Sequence, residues 1–427
     1  MNADKCRSIQ WAFLLSALIC VHLRQTPVSG QTAPQWEKRW LSGLFYGEGA
    51  NFGDFNNDGN IDVVSGPFIY DGPEFTMKRA YTEVKSHDPL AYSDNFLAYS
   101  HDFNADGFTD ILIIGFPGKE TYWYQNPGKD ADPKQNWTRH LVLAVVDNES
   151  PMLANIVGDE KPELICMSGG YAGYATPDAA DPAKPWTFHP ITPQTKEYQR
   201  FTHGIGAGDI NGDGRLDLLE KNGWWEQPEK LDDPQGGGNK QPWKKHDVEF
   251  AKGHGPAQMF TYDVDGDGDN DVITCLNAHG YGLAWYEHVK EGGDGQKITF
   301  KQHLILSPKA EEKINGVQFS QLHAVELIDI DGDGFKDILT GKRFWAHGPT
   351  GDPEPTAPPV LYYFKLKRDT AGDGGNPGGG KASYEPVQID DYSGVGTQIT
   401  AADANGDKVP DIVVGNKRGT IVFLSKK

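Results

Sequence analysis

The stretch Asp329-Ile330-Asp331-Gly332-Asp333-Gly334-Phe335-Lys336-Asp337 decides the fold of this chain. It sets carboxylates at positions 1, 3, 5 and 9 around a glycine turn. Hard Ca²⁺ favours such oxygen sets, completed by a backbone carbonyl. The nine-residue spacing differs from the twelve-residue EF-hand loop. Five other intact copies place ligands at Asp54, Asn56, Asp58 and Asp62; Asp102, Asn104, Asp106 and Asp110; Asp209, Asn211, Asp213 and Asp217; Asp263, Asp265, Asp267 and Asp271; and Asp403, Asn405, Asp407 and Asp411. These six loops are candidate Ca²⁺ sites. A degenerate copy carries Asn155 and Val157 at positions 1 and 3, and is not expected to bind metal.

The copies begin at residues 54, 102, 155, 209, 263, 329 and 403. A period of about 40–50 residues built from short strands indicates a β-propeller. Around each loop the local pattern agrees. An apolar strand precedes it, as in Ala324-Val-Glu-Leu-Ile328, and a β-branched run follows, as in Asp411-Ile-Val-Val414. A third strand is often aromatic, such as Tyr122-Trp-Tyr124. A fourth ends in histidine at His140, His189, His246 and His303. Such alternation and β-branched enrichment mark strands. The expectation is therefore an all-β, seven-bladed β-propeller with four-stranded blades. The last repeat lacks a fourth strand, and Trp36 to Leu41 reads as an orphan one. The N-terminal strand is thus expected to complete the last blade and close the ring, protecting two strand edges.

Formal net charge is −20, and the loops hold much of the acidity. Bound Ca²⁺ would offset it, so the acidity does not imply a basic partner. No basic stripe is evident, which argues against nucleic-acid binding. Residues 1–30 read as a secretory signal peptide: Lys5 and Arg7 precede an apolar core from Trp11 to Leu23, too short for a comfortable membrane span. Residues 31–427 form the propeller, and the mature chain has no expected transmembrane domain. Ile19 before Cys20 is too large for a usual lipoprotein signal. A secreted or periplasmic monomer is expected; an uncleaved anchor or other surface attachment is the alternative. Cys166 and Cys275 follow loops separated by a whole repeat, so they are expected as buried free thiols rather than a disulfide.

Propeller topology puts every loop on one face. The starts of the inner strands, and the connections between second and third strands, lie on the other, around the channel mouth. The residues six before each loop are Glu48, Phe96, Glu149, His203, Ala257, His323 and Thr397. The connections add Tyr70, Lys119, Lys221, Asn222, His279, Lys342, Arg343, His347, Lys417 and Arg418, with His254 just upstream of an inner strand. This is a histidine-rich, basic cluster on an acidic chain. The outer-strand histidines recur at one position and read as structural. No repeat consensus demands the mouth histidines, so His203, His323, His279 and Arg343 are catalytic candidates. Glu48, Glu149, Lys221, His254, Lys342 and His347 are candidates for contacting substrate.

Histidine can act as acid or base near neutral pH, while Arg and Lys can hold a carboxylate or an enolate. Together they suit β-elimination from a uronate or keto-sugar. His203 and His323 with Glu149 could alternatively bind Zn²⁺. A non-catalytic module that binds a glycan or a surface protein uses the same face equally well. The long insertion Lys342–Pro359 could cover the mouth as a semi-rigid lid. Nucleophile-elbow, zincin and nucleotide-loop motifs are absent.

The nine-residue loops resemble the FG-GAP/VCBS repeats of integrin α-subunit propellers and of many secreted bacterial proteins. The resemblance covers about residues 36–424, and implies a propeller with calcium sites, not an activity. Tyr122 to Gly128, Trp137 to His140 and Gln321 to Gly334 also resemble the propeller part of aldos-2-ulose dehydratase. That family acts on keto-sugars and uses metal ions. The chain lacks that enzyme's cupin domains.

Overall fold

The computed structural model describes residues 34–129, 132, 134–159, 161–231, 242–291, 297–368 and 381–426. The signal-peptide reading of residues 1–30 lies outside them. Most of the Gly/Pro-rich insertions after residues 231, 291 and 368 do so too.

Twenty-eight strands are present among the described residues, and they follow the loop repeats. Each loop joins an inner strand to a second strand that is almost wholly buried, as in Asp110–Ile114 and Asp271–Cys275. These second strands read as continuous β-branched and aliphatic runs because both their faces are covered. The strands Ala50–Gly53, Asp62–Ser65, Phe68–Asp71 and Met77–Ala80 form one such four-stranded antiparallel sheet.

Seven separate four-stranded blades are expected from the repeat count, and the sheet topology corrects this. Five sheets have four strands, and one has eight. The eight-stranded sheet carries the repeats whose loops begin at Asp209 and Asp263. Their inner strands, Ile205–Gly208 and Gln258–Tyr262, pair in parallel through Ile205 with Gln258 and Gly206 with Met259. The cause is local. A Cβ on Gly206 would lie 2.1 Å from the Met259 carbonyl oxygen, and one on Gly208 would lie 2.0 Å from Thr261 Oγ1. Two bare glycines let these neighbouring backbones approach to hydrogen-bonding distance. The molecule is thus an all-β propeller of five four-stranded blades plus one eight-stranded sheet.

The N-terminal strand Gln35–Ser42 pairs antiparallel with the C-terminal strand Gly419–Lys426, from Gln35 with Lys426 to Ser42 with Thr420. One sheet therefore contains both ends of the described chain. Apolar cores lie between neighbouring sheets. One joins Phe103, Leu112 and Trp123 to Leu164, Cys166 and Trp186 of the next sheet. Cys166 and Cys275 are free and buried. The recurrent outer-strand histidines stack on third-strand aromatics: His246 lies 3.9 Å from Trp224 at 5° between planes, and His303 lies 4.2 Å from Trp285 at 10°. They clamp the outer strand to the blade. Among the described residues, no helix is long and apolar enough to cross a membrane.

Candidate metal centre at the channel mouth

The seven positions preceding the inner strands are all buried: Glu48, Phe96, Glu149, His203, Ala257, His323 and Thr397. Backbone bonds link them from repeat to repeat. Glu149 N–H donates to Thr202 O at 3.0 Å, His203 N–H to His254 O at 3.2 Å, and Thr397 N–H to Glu48 O at 2.9 Å. At these positions the main chain makes the link between repeats, whatever the side chain.

Four of the sequence candidates meet at one point. Glu149, His203, His279 and His323 each bring a ligand atom within 4.8 Å of all the others. His203 Nε2 lies 3.1 Å from His323 Nε2 and 3.0 Å from His279 Nε2. Glu149 Oε2 lies 3.1 Å from His323 Nε2 and 3.5 Å from His203 Nε2. His203 and His323 belong to repeats that are not neighbours, and they meet across the mouth. Four ligands at zinc bond lengths sit about 3.3 Å apart along a tetrahedral edge. The observed separations bracket that value. His203 Nδ1 faces Phe201 O at 3.1 Å and donates to it, so Nε2 presents a lone pair to the centre. A converging set of imidazole lone pairs and a carboxylate is suited to a divalent cation, and its nitrogen content fits Zn²⁺ better than Ca²⁺.

Backbone strain marks the same place. Phe201 and Gln321, each two residues before a site histidine, have φ of +69° and +61°, and Trp345, two after Arg343, has +56°. Bulky residues rarely occupy this left-handed region, at a cost of about 1–3 kcal/mol each.

Arg343 is buried beside the four ligands. Its Nη2 lies 3.1 Å from Glu48 Oε1, and its Nη1 lies 4.0 Å from Glu149 Oε2. Burial opposes ionisation of Glu149, but His203 and His323 outweigh it and hold its carboxyl well below the usual range. Burial, reinforced by Arg343, pushes His323 well below the usual imidazole value. Burial raises Glu48, against the pull of Arg343 and Lys417. Lys342 and Lys417 are each pushed down to about 8 by burial.

The remaining candidates lie around this centre. His347 is exposed, with its ring 4.7 Å from that of His279. His254 is exposed, its ring 6.3 Å from His279, and its main contribution is the carbonyl that holds His203. Lys221 donates to Gly253 O at 3.4 Å, and Lys342 to Arg343 O at 3.4 Å. Other residues also belong here. Lys417 Nζ sits 4.6 Å over the Tyr92 ring, and the Tyr92 ring is 6.5 Å from His347. Tyr92 and Phe116 line a cleft of about 540 Å³ beside the mouth, with Lys119, Tyr122 and Arg139. Asp352 lies 3.4 Å from His279 Nδ1. Repeat position identifies Lys417, whereas Asp352 sits in an insertion with no repeat equivalent.

In the acidic loops, the ninth residue is partly a structural staple. Asp217 accepts the Ile210 and Gln227 N–H groups at 2.9 Å each, and Asp337 accepts those of Ile330 and Leu366 at 3.2 and 2.8 Å. Burial pushes Asp110, Asp217 and Asp271 up to about 7. Three carboxylates converge as potential ligands in two loops, at Asp263, Asp265 and Asp271 and at Asp329, Asp331 and Asp333. In the second, the Lys365 ammonium bonds Asp331 and lies 2.9 Å from Asp333.

No protein-family model matches the chain. No curated protein matches it either. Among solved structures, it is similar to an Agrocybe aegerita lectin, described for its specific recognition of non-reducing terminal N-acetylglucosamine. The two share 15% identity over 88% of this chain and 85% of that one, with a TM-score of 0.43.

Proposed function

We propose that Glu149, His203, His279 and His323 hold one divalent transition metal, Zn²⁺ by ligand type, and that this centre binds a carbohydrate bearing a carboxylate or carbonyl group. The observation that carries this reading is the convergence of three imidazole nitrogens and one carboxylate oxygen. The surroundings support the ligand class. Arg343, Lys342 and Lys417 make the mouth cationic on a chain of net charge −20, which suits an anionic or electron-rich oxygen. Tyr92 and Phe116 offer apolar faces for a sugar ring, in a cleft of ordinary ligand size. A bound metal supplies Lewis acidity toward a carbonyl or carboxylate oxygen.

Elimination chemistry is a second reading, favoured by Lys342 and Lys417. With values near 8, either is a fair proton acceptor close to neutral pH. Arg343 would then hold the enolate. The acidic loops are proposed as Ca²⁺ sites that stiffen the propeller, consistent with the FG-GAP/VCBS-like pattern.

Isothermal titration of metal-loaded protein with uronate oligosaccharides and keto-sugars, alongside mass spectrometry of the mixtures, tests this function. Binding that is lost on removal of zinc supports the metal-dependent reading. Loss of water or new unsaturated fragments supports elimination. Equal binding by the zinc-free protein would contradict the metal-dependent reading, and sugars of unchanged mass would contradict elimination.

A further inference from the structure

We infer that Asp352 is the positioning residue of the mouth centre, and that through it the insertion Lys342–Pro359 governs how tightly the metal is held. The inference rests on the metal reading given above.

Asp352 lies in a surface insertion, yet its side chain is only 4% exposed. It turns inward, and its Oδ1 lies 3.4 Å from His279 Nδ1. That nitrogen is buried and makes no hydrogen bond of good geometry among the described residues, so the Asp352 carboxylate is the polar group it faces. The opposite nitrogen, His279 Nε2, points at His203 Nε2 from 3.0 Å. A neutral imidazole carries its proton on one nitrogen and its lone pair on the other. The nitrogen that faces a carboxylate takes the proton, which leaves Nε2 free to ligate. Carboxylate, imidazole and metal then form a line, an arrangement that fixes ring orientation and raises ligand basicity. His203 reaches the same state through the Phe201 carbonyl. His279 alone among the three has its tautomer set by a side chain of the insertion.

The insertion is anchored at this spot. Ser320 Oγ and Gln321 Nε2 each donate to Pro353 O at 2.9 Å, and Trp345 Nε1 donates to Pro355 O at 3.0 Å. Asp352 Oδ2 accepts the His347 N–H at 2.8 Å, and Oδ1 lies 2.8 Å from His347 Nδ1. The bonds to Pro353 tie the insertion to the segment that leads into His323, so Asp352 and two metal ligands share one scaffold. A purely structural role for Asp352, as a cap on its own loop through His347, would leave metal affinity untouched. That difference separates the two accounts.

The test is zinc affinity by competition with a chromophoric chelator, plus the visible spectrum of the Co²⁺-substituted protein. Asp352→Asn should weaken zinc about 10–100-fold and shift the Co²⁺ bands, while the single-site stoichiometry and the zinc-free melting temperature stay near those of the parent. Asp352→Glu should restore part of the affinity. Should Asp352→Asn fail to fold, Ser320→Ala loosens the same anchor and should weaken zinc about threefold. Parent-like zinc affinity and Co²⁺ spectrum in folded Asp352→Asn would overturn the inference while leaving the metal reading intact. A parent protein that binds no zinc would overturn both.

Discussion

His203 Nε2 and His323 Nε2 lie 3.1 Å apart, although 120 residues separate them in the chain. Because His203 donates its Nδ1 proton to Phe201 O, its Nε2 faces the neighbouring imidazole as an acceptor. Only a shared proton or a cation makes such a contact favourable. With a carboxylate at the same point, a divalent metal satisfies all the lone pairs at once. Replacing either histidine with alanine should reduce zinc affinity by at least about 100-fold, measured by chelator competition. Glu149→Gln should cost less, because an amide oxygen can still ligate.

Glu326, three residues along the chain from His323, gives a separate pH dependence. It lies on the inner strand Val325–Ile328, between buried Val325 and Leu327. Burial pushes its carboxyl up to about 7, with Lys336 partly opposing this. Tyr99 from another repeat feels the same charge. A folded pKa raised above the unfolded value near 4.5 means that the folded state binds the extra proton. The penalty is absent below about pH 4.5, grows as pH rises, and is full above about pH 7, at up to about 3 kcal/mol. Glu326→Gln should therefore raise the melting temperature at pH 8 and leave it little changed at pH 5. Equal shifts at both values would contradict this account.

Gly206 tests the eight-stranded sheet. An alanine there would set Cβ 2.1 Å from the Met259 carbonyl. The two inner strands would have to part or shift. Gly206→Ala should lower the unfolding free energy by about 1–3 kcal/mol in urea titrations. The same change at Gly212, where a Cβ meets nothing within 4 Å but φ is +75°, should cost only the left-handed strain of about 1 kcal/mol.

Lys365 occupies the carboxylates of the loop that begins at Asp329. Calcium entering that loop must displace the ammonium. Lys365→Met should tighten calcium binding there roughly tenfold and lower the melting temperature in EDTA, since the carboxylates then lack any cation. Calorimetric calcium titrations of parent and variant read the first effect. Unchanged affinity would show that the ammonium swings aside without cost.

Much of this was legible from the spacing of the acidic loops. Counting six residues back from Asn155, Asp209 and Asp329 finds Glu149, His203 and His323. The connection after Cys275 finds His279. Repeat position converts directly into position on the ring, so residues from distant repeats can be brought to one place on paper. Three features have no such signal. The pairing of Gly206 with Met259 depends on how closely two backbones approach, which is a tertiary property. Asp352 lies in an insertion with no equivalent in other repeats, so no alignment of repeats predicts its inward turn. The ninth loop residue carries the same side chain whether it ligates a cation or accepts strand N–H groups, and only the geometry shows the second use.

The most direct test of the metal centre is anomalous diffraction at the zinc edge from crystals of protein stripped of metal and reloaded with one equivalent of zinc in calcium buffer. The account predicts one strong peak between the three imidazole nitrogens of His203, His279 and His323 and the Glu149 carboxylate. A mouth without a peak, or zinc found solely in the acidic loops, would contradict it.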